Sequence, residues 1–370
     1  MTDYFKELFI SQYRGIKQLN LTDLNSVNII LGDNNSGKSS LLEAIYLLRS
    51  PFSFDNILRT ARIRDANAFM GANLYTNFLN LFPKSDGIFK IHIQSNGAAG
   101  TISVSIEGEE KIILLEDKDF KGYISYSRAR ELTPRLLGRE STAFIGKMVS
   151  SVNSTIRETD IRFTPYTRYS LARNNRDEII NIDYLSPISH ITENAFNNIV
   201  KSDDYKEICV QLIHLFDSDI EDLVYIKDDN SYRVVEYIRS KKKGLMPLSS
   251  YGDGIKKVLS LANGIVKASG GILLVDEIDT SIHYKYYNEI FNFLIKAAAK
   301  WNVQLFVTTH SIEAIDEILK TQNYSEKANE KDIIRVITLK KDKEENLMAR
   351  TLKGYEVYQN RERFGFEVRS

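Results

Sequence analysis

A single cysteine, Cys209, occurs among the 370 residues, so an internal disulfide framework is excluded and a reducing compartment is favoured. Apolar runs of the roughly 18 to 20 residues that cross a bilayer are also missing. The first residues, MTDYFKELF, lack the basic and apolar parts of a secretory leader. We therefore expect a soluble cytoplasmic protein with no membrane contact, in which Cys209 is a small core residue on a helix.

An excess of charge of one sign is absent too, because 49 basic residues balance 49 acidic ones and the formal net charge is +0. No global field then draws the chain to DNA or anionic lipid, and any contact with nucleic acid must be local. Basic side chains that could line a phosphate path are Arg128, Arg130, Arg135, Arg139, Lys147, Arg239, Lys241, Lys242 and Lys243. A solvated surface is the alternative for them.

A glycine-rich stretch, GDNNSGKSS at residues 32–40, fits the phosphate-binding pattern G-x-x-x-x-G-K-[ST]. It follows an apolar, β-branched run that predicts a strand and precedes apolar residues at helical spacing, which is the context that a nucleotide loop requires. The predicted nucleotide-binding residues of this stretch are Gly32, Asn34, Asn35, Ser36, Gly37, Lys38, Ser39 and Ser40. Lys38 would meet the β- and γ-phosphates of ATP, and the hydroxyl of Ser39 is placed to bind Mg²⁺.

Two acidic residues, Asp276 and Glu277, follow the apolar run GILLV, which predicts a buried strand. Ligands of open α/β sheets bind at the carboxyl ends of such strands. We expect Asp276 to hold the Mg²⁺ shell and Glu277 to orient or deprotonate the attacking water, while a core strand with an acidic turn is the alternative. A second apolar strand, residues 303–307, leads to His310, which could stabilise the γ-phosphate or be an ordinary turn residue.

The stretch LSSYGDG, residues 248–254, precedes a helix-like run. A serine and a glycine at a helix N-terminus form an anion-binding tip, although the glycine-rich loop already fills that role within one subunit. The economical interpretation is that the tip completes the ATP site of a second subunit. A simple helix cap is the alternative.

Together these motifs resemble those of ABC-type ATPase heads, in the branch of SMC proteins, RecF and the OLD (overcoming lysogenization defect) ATPases. FISQYRGIKQLNL resembles the N-terminal strand pair of that branch, GDNNSGKSS its Walker A motif, LSSYGDG its signature, LLVDEIDTSIHY its Walker B motif and D-loop, and FVTTHS its switch histidine segment. Tyr251 and Asp253 depart from the usual signature LSGGQ and look like the OLD-type variant. No glutamine is assigned to the Q-loop.

The resemblance implies an α/β fold: a P-loop NTPase of the ABC-head type with an antiparallel β layer and a mainly helical insertion. The implied domains are lobe I at residues 1–130, the insertion at 131–245, and lobe II at 246–370. The resemblance also implies a homodimer, or a higher even-numbered oligomer, that sandwiches ATP. Ser250, Gly252 and Asp253 would then face the γ-phosphate held by Lys38 of the partner subunit. Asp279 would lie at the dimer seam, and Arg14 would contact the nucleotide.

Two functions remain open from the sequence. The first is an OLD-like, ATP-gated dimeric switch that acts with a separate effector, such as a nuclease or toxin, in defence against phage or foreign DNA. It follows from the resemblance and from the missing acidic cluster of a Toprim nuclease. The second is a RecF- or SMC-like, ATP-dependent DNA clamp in repair. A transporter's nucleotide subunit is disfavoured by the SMC-like sequence DEIDTSIH.

Overall fold

The computed structural model describes residues 2–64, 73–83, 87–120, 136–167, 178–227, 234–324, 332–342 and 346–364. The strands within these ranges are β1 (Glu7–Tyr13), β2 (Ile16–Leu21), β3 (Val27–Gly32), β4 (Ile88–Gly97), β5 (Gly100–Leu114), β6 (Glu140–Val152), β7 (Thr155–Phe163), β8 (Ile182–Leu185), β9 (Ile220–Lys227), β10 (Val234–Ser240), β11 (Gly244–Pro247), β12 (Ile272–Val275), β13 (Gln304–Thr308), β14 (Ile334–Lys341) and β15 (Leu347–Lys353). The α-helices are α1 (Lys38–Leu47), α2 (Phe54–Ala61), α3 (Leu74–Leu79), α4 (Ser189–Thr192), α5 (Asp203–Ile213), α6 (Asp253–Lys267), α7 (Tyr287–Lys300), α8 (Ile312–Lys320) and α9 (Gly354–Phe364).

A six-stranded sheet with the order β15-β14-β3-β13-β12-β8 forms the centre of the fold. All neighbours in it pair in parallel except β15, which runs antiparallel to β14 at one edge. The strands β3, β12 and β13 are buried along their whole length, as expected for parallel strands with helices on both faces. Their carboxyl ends meet at one edge of the sheet, and this edge carries the glycine-rich loop, Asp276, Glu277 and His310.

The two faces of the central sheet belong to two separate cores. In β12, Ile272 and Leu274 pack with α1 on one face, whereas Leu273 and Val275 pack with α6, α7 and α8 on the other. This alternation follows from the period of two in a strand. A second six-stranded sheet, in the order β2-β1-β4-β5-β6-β7, is antiparallel and covers the α1 side. The predicted antiparallel β layer is therefore confirmed.

The prediction that residues 131–245 are mainly helical is wrong, because much of this region forms strands. The strands β6 and β7 extend the antiparallel sheet, β8 joins the central sheet, and β9 with β10 forms an antiparallel pair. The α-helices that the structure describes in this region are α4 and α5. The alternating sequence pattern of β6 and β7 is that of strands and prevails over the helical spacing. Asn153, with a φ angle of 53°, supports a tight turn between these two strands.

The helix α5 carries Cys209, which is buried as predicted, and burial raises the pKa of its thiol to about 12. Among the helices of the described ranges, none combines the length and apolar character needed to cross a membrane.

Candidate nucleotide site

The loop between β3 and α1 has a backbone that depends on glycine. The φ angle is 145° at Gly32, 62° at Asn35 and 92° at Gly37. Gly37 also caps the start of α1. A Cβ added to Gly32 would lie 2.5 Å from the carbonyl oxygen of Leu339. Only glycine fits there, because both the backbone angle and the space exclude a side chain. The loop thus has the shape on which the phosphate-binding motif depends.

Lys38 folds back over this loop. Its Nζ donates hydrogen bonds to the carbonyl oxygens of Gly32 at 2.9 Å and Asp33 at 2.8 Å, and the residue is 6% exposed. Burial lowers the pKa of Lys38, and the negative charges of Asp276, Asp33 and Glu277 act against that shift. The buried Ser36 Oγ has no hydrogen-bond partner among the described residues. An ammonium and a hydroxyl at the start of a helix suit a phosphate group.

Asp276, at the carboxyl end of β12, is 5% exposed and is held by two hydroxyl groups from neighbouring strands. Thr308 Oγ1 donates to its Oδ1 at 2.6 Å, and Tyr184 donates to its Oδ2 at 3.1 Å. Burial raises the pKa of Tyr184, so this phenol stays a donor. Tyr184 belongs to none of the motifs named in the sequence; its place on the adjacent strand β8 reveals its contact with Asp276.

Glu277 has a positive φ angle of 52°, which is unusual for a residue other than glycine. A residue other than glycine in this left-handed region costs roughly 1–3 kcal/mol, and surrounding contacts must hold it there. Its N–H donates to Thr308 Oγ1 at 2.8 Å, and its carbonyl oxygen accepts from Lys257 Nζ at 3.1 Å. Its carboxylate accepts from Thr280 Oγ1 at 3.0 Å.

One cleft brings the predicted phosphate-binding and catalytic residues together. Its volume is about 260 Å³, and its lining residues are Asn34, Asn35, Ser36, Gly37, Lys38, Ser39, Ser40, Arg64, Asp276, Glu277 and His310. A neighbouring cleft of about 470 Å³ includes Ser39, Arg64, Tyr184 and Asp276. A third cleft, of about 560 Å³, includes Arg14 and Ser40. Arg14 thus lies beside the loop residues. Its contact with a nucleotide stays a prediction.

Arg64 is a site residue that sequence reasoning missed, because it belongs to no motif. It lines all three clefts, donates from Nη2 to Ser40 Oγ at 3.0 Å, and forms an ion pair with Glu43. Glu43 lies on α1, is 0% exposed, and also accepts from Arg14 Nε at 2.6 Å. One buried carboxylate therefore positions two arginines beside the loop.

The signature residues lie elsewhere on the surface. Ser250, Gly252 and Asp253 are exposed, and Asp253 pairs with Lys256 at 3.1 Å. None of these three is among the described residues that line the clefts around Lys38. In the D-loop, Asp279 accepts a hydrogen bond from the Thr309 hydroxyl. The fold of one chain therefore brings the Walker motifs, His310 and Arg14 together but leaves the signature on a separate surface.

Several of the basic side chains are already paired within the chain. Lys147 pairs with Glu158 at 2.8 Å, Lys242 with Asp219 at 2.9 Å, and Lys243 with Asp217 at 2.8 Å. Arg128, Arg130 and Arg135 lie outside the described residues. These ion pairs favour the solvated-surface interpretation for the lysines.

Residues 27–316 match the family described as "AAA domain, putative AbiEii toxin, Type IV TA system". The chain belongs to this family. The matched region of this AAA-family chain extends from β3 into α8 and so contains the glycine-rich loop, Asp276, Glu277 and His310, but not Arg14.

Individual proteins resemble this AAA-family chain to different extents. An ATP/GTP phosphatase of Helicobacter pylori is 21% identical over 333 residues, which are 85% of this chain and 88% of that protein. The DNA replication and repair protein RecF of Pseudoalteromonas translucida is 53% identical over 47 residues, 13% of each chain. A solved SMC head bound to the C-winged helix domain of ScpA has a TM-score of 0.50 at 12% identity, over 96% of this chain and 99% of that one.

The predicted α/β fold of a P-loop ABC-type head is thereby confirmed, apart from the mainly helical insertion, and the matches support an ABC-type ATPase of the SMC and RecF branch. The glycine-rich loop, Asp276, Glu277 and His310 lie at the carboxyl edge of the central sheet, where open α/β sheets bind their ligands. The narrower OLD-type assignment stays a prediction.

Proposed function

We propose that this AAA-family chain binds ATP with Mg²⁺, hydrolyses it, and dimerises through the bound nucleotide as a switch. The observation that carries the proposal is the cleft in which Lys38, Asp276, Glu277 and His310 come together around the glycine-rich loop. The similarity to an ATP/GTP phosphatase over most of the chain supports hydrolysis.

The donor set in the cleft fits Mg²⁺ bound with a nucleotide. Ser39 and Asp276 would hold the ion, and Mg²⁺ usually takes only one or two protein ligands beside phosphate oxygens and water. Among the described residues, no three His, Cys, Asp or Glu side chains converge into a protein-only metal site. When bound, the ion neutralises charge on the phosphates.

Each remaining side chain in the cleft has a distinct proposed role. Lys38 binds the phosphates as a point charge, and the Ser36 Oγ, which has no partner in the described part of the chain, offers a further hydrogen bond. Glu277 orients the attacking water and accepts its proton, because it lines the same cleft as Lys38 and Asp276. His310 contacts the γ-phosphate from the end of β13. Arg14 contacts the nucleotide from the neighbouring cleft.

The surface position of the signature supports the dimeric part of the proposal. Ser250, Gly252 and Asp253 lie at the exposed start of α6, where main-chain N–H groups and the helix dipole favour an anion. With Asp279 at the seam, they complete the site of a second subunit. ATP then favours the dimer, because it binds the dimer more tightly than the monomer. Hydrolysis releases the two heads.

The biological part of the proposal is an OLD-like role beside a separate effector, such as a toxin or nuclease, in defence against phage or foreign DNA. The description of the matched family as a toxin of a toxin–antitoxin system supports a defence role. The local similarity to RecF favours the second candidate, an ATP-dependent DNA clamp.

The test is to purify tagged Glu277→Gln with Mg-ATP and to identify what co-purifies by mass spectrometry and by the ratio of absorbance at the nucleic-acid and protein maxima. The double variant Lys38→Ala/Glu277→Gln is the matched control, because it should not hold ATP. A stoichiometric protein that is lost from the control supports the effector role. Nuclease-sensitive absorbance without a protein partner supports the clamp. Neither signal, together with full biological activity of the protein alone, would reject both roles.

A further inference from the structure

Lys257 lies on α6, the helix whose N-terminus carries the signature residues, but it points into the same chain. It is 2% exposed, and its Nζ donates to the carbonyl oxygen of Glu277 at 3.1 Å. The motifs did not single out this residue. Its contact joins the helix that is capped by Gly252 to the residue proposed as the catalytic base.

The contact matters because of the backbone conformation of Glu277. A left-handed residue with a side chain persists only where its surroundings hold it. The N–H of Glu277 is held by Thr308 of β13, and its carbonyl group is held by Lys257 of α6. The peptide groups on both sides of its Cα are thus fixed by side chains from two elements, and the direction of the carboxylate follows from them.

A second contact shows how closely α6 approaches the segment that follows Glu277. A Cβ added to Gly254 would lie 3.2 Å from the carbonyl oxygen of Ser281. Gly254 and Lys257 are three residues apart and therefore share one face of the helix. The helix consequently meets residues 277–281 at two points, and a displacement of α6 would displace both.

The charges around Lys257 explain why a lysine is tolerated at a buried position. Burial lowers its pKa to about 8, whereas the carboxylates of Asp279, Glu277 and Asp276 favour the charged ammonium. A buried ammonium needs such partners. An apolar residue of the same length would fill the space but would donate no hydrogen bond to Glu277.

We propose that Lys257 is a positioning residue that holds Glu277 in its catalytic orientation and ties that orientation to the position of the signature helix in the same subunit. Binding of the signature to the nucleotide of a second subunit would act on Glu277 through this contact. The inference rests on the proposed ATPase function and names a regulator of that site.

The test compares Lys257→Met with Lys257→Arg in steady-state ATP hydrolysis and in equilibrium binding of a fluorescent ATP analogue. Lys257→Met should lower kcat by about 100-fold, because small misplacements of catalytic groups have effects of this size. Affinity for the analogue should stay within about twofold. Lys257→Arg keeps the charge and the donors and should recover most of the loss. Lys296→Met, at an exposed position of α7, is the matched control.

A double-variant comparison separates positioning from a merely structural role. If Lys257 acts through Glu277, Lys257→Met should add little to the loss of turnover in Glu277→Gln. A structural role would instead lower analogue affinity, thermal stability and ATP-dependent dimerisation in both backgrounds. If Lys257→Met does not fold, Lys257→Gln takes its place with the same expectations. Turnover by a folded variant within about twofold of the wild type overturns the proposal.

The two proposals fail in different ways. Absent turnover by the wild type, or equal turnover by Glu277→Gln and the wild type, would reject the proposed ATPase mechanism. Normal wild-type turnover, a stalled Glu277→Gln and an unaffected Lys257→Met would reject only the role of Lys257.

Discussion

The ammonium of Lys38 lies 2.9 Å from the carbonyl oxygen of Gly32, so the loop binds its own lysine. Substitution by alanine removes both the charge for the phosphates and the bonds that hold the loop. We expect Lys38→Ala to abolish ATP binding, measured by titration with a fluorescent ATP analogue. Lys296→Ala should bind like the wild type. Wild-type affinity in a folded Lys38→Ala would contradict the phosphate-binding role.

Glu277→Gln should keep ATP bound but slow its hydrolysis by about 100-fold or more, because an amide cannot accept the proton of water. Since the nucleotide is not consumed, the dimer should accumulate. Single-turnover hydrolysis and light scattering with Mg-ATP measure the two effects. Glu289→Gln, at an exposed position on α7, serves as the control. Turnover equal to that of the wild type would show that the catalytic assignment is wrong.

Ser250→Arg should prevent ATP-dependent dimerisation and leave the ATP affinity of the monomer nearly unchanged. The reason is that Ser250 is exposed and lies outside the clefts that surround Lys38, so a larger side chain obstructs only a second subunit. Analytical ultracentrifugation with and without Mg-ATP, beside analogue binding, tests both parts. A simultaneous loss of nucleotide affinity would argue against a signature that acts across the dimer.

Glu43→Gln should hold Arg14 and Arg64 less firmly, because the negative charge that pairs with both is lost. The unfolding free energy should fall by about 1–3 kcal/mol, since this charged partner is buried. ATP affinity should fall with it, because Arg64 lines the clefts beside the loop. Chemical denaturation and analogue binding measure these changes. In the control Glu107→Gln, an exposed ion pair with Lys90 is lost, and the expected change is below about 1 kcal/mol. Equal effects of the two variants would contradict the positioning role of Glu43.

Cys209 should react with a thiol reagent only when the protein unfolds, because burial raises its pKa to about 12. The raised value also predicts a pH effect with a defined sign. Between pH 9.0 and about 12 the unfolded thiol loses its proton first, so the unfolding free energy falls as pH rises. Denaturation series of the wild type and Cys209→Ala should differ in slope over that window. Rapid reaction of the native thiol at pH 8 would refute its burial.

Predictions from local sequence were correct for elements with a strong pattern of their own. The run before Gly32 is β3, the run after Lys38 is α1, and the segment before Asp276 is β12. Residues 131–245 were harder to interpret, because β6 pairs with β5 as well as with β7, and β8 pairs with β12, which is far away in the sequence. The sequence pattern there is compatible with both the helical period and the strand period until the partner strand is known.

The sequence by itself determined the nucleotide motifs, since a glycine-rich loop and a strand that ends in two acids carry their chemistry in consecutive residues. Only the tertiary structure revealed how those residues are held. Tyr184 meets Asp276, Arg64 meets Glu43, and Lys257 meets Glu277. Each of these pairs joins residues at least twenty positions apart, so no local pattern records them. Packing of the central sheet against its helices brings them together, and the orientation of the catalytic groups depends on that packing.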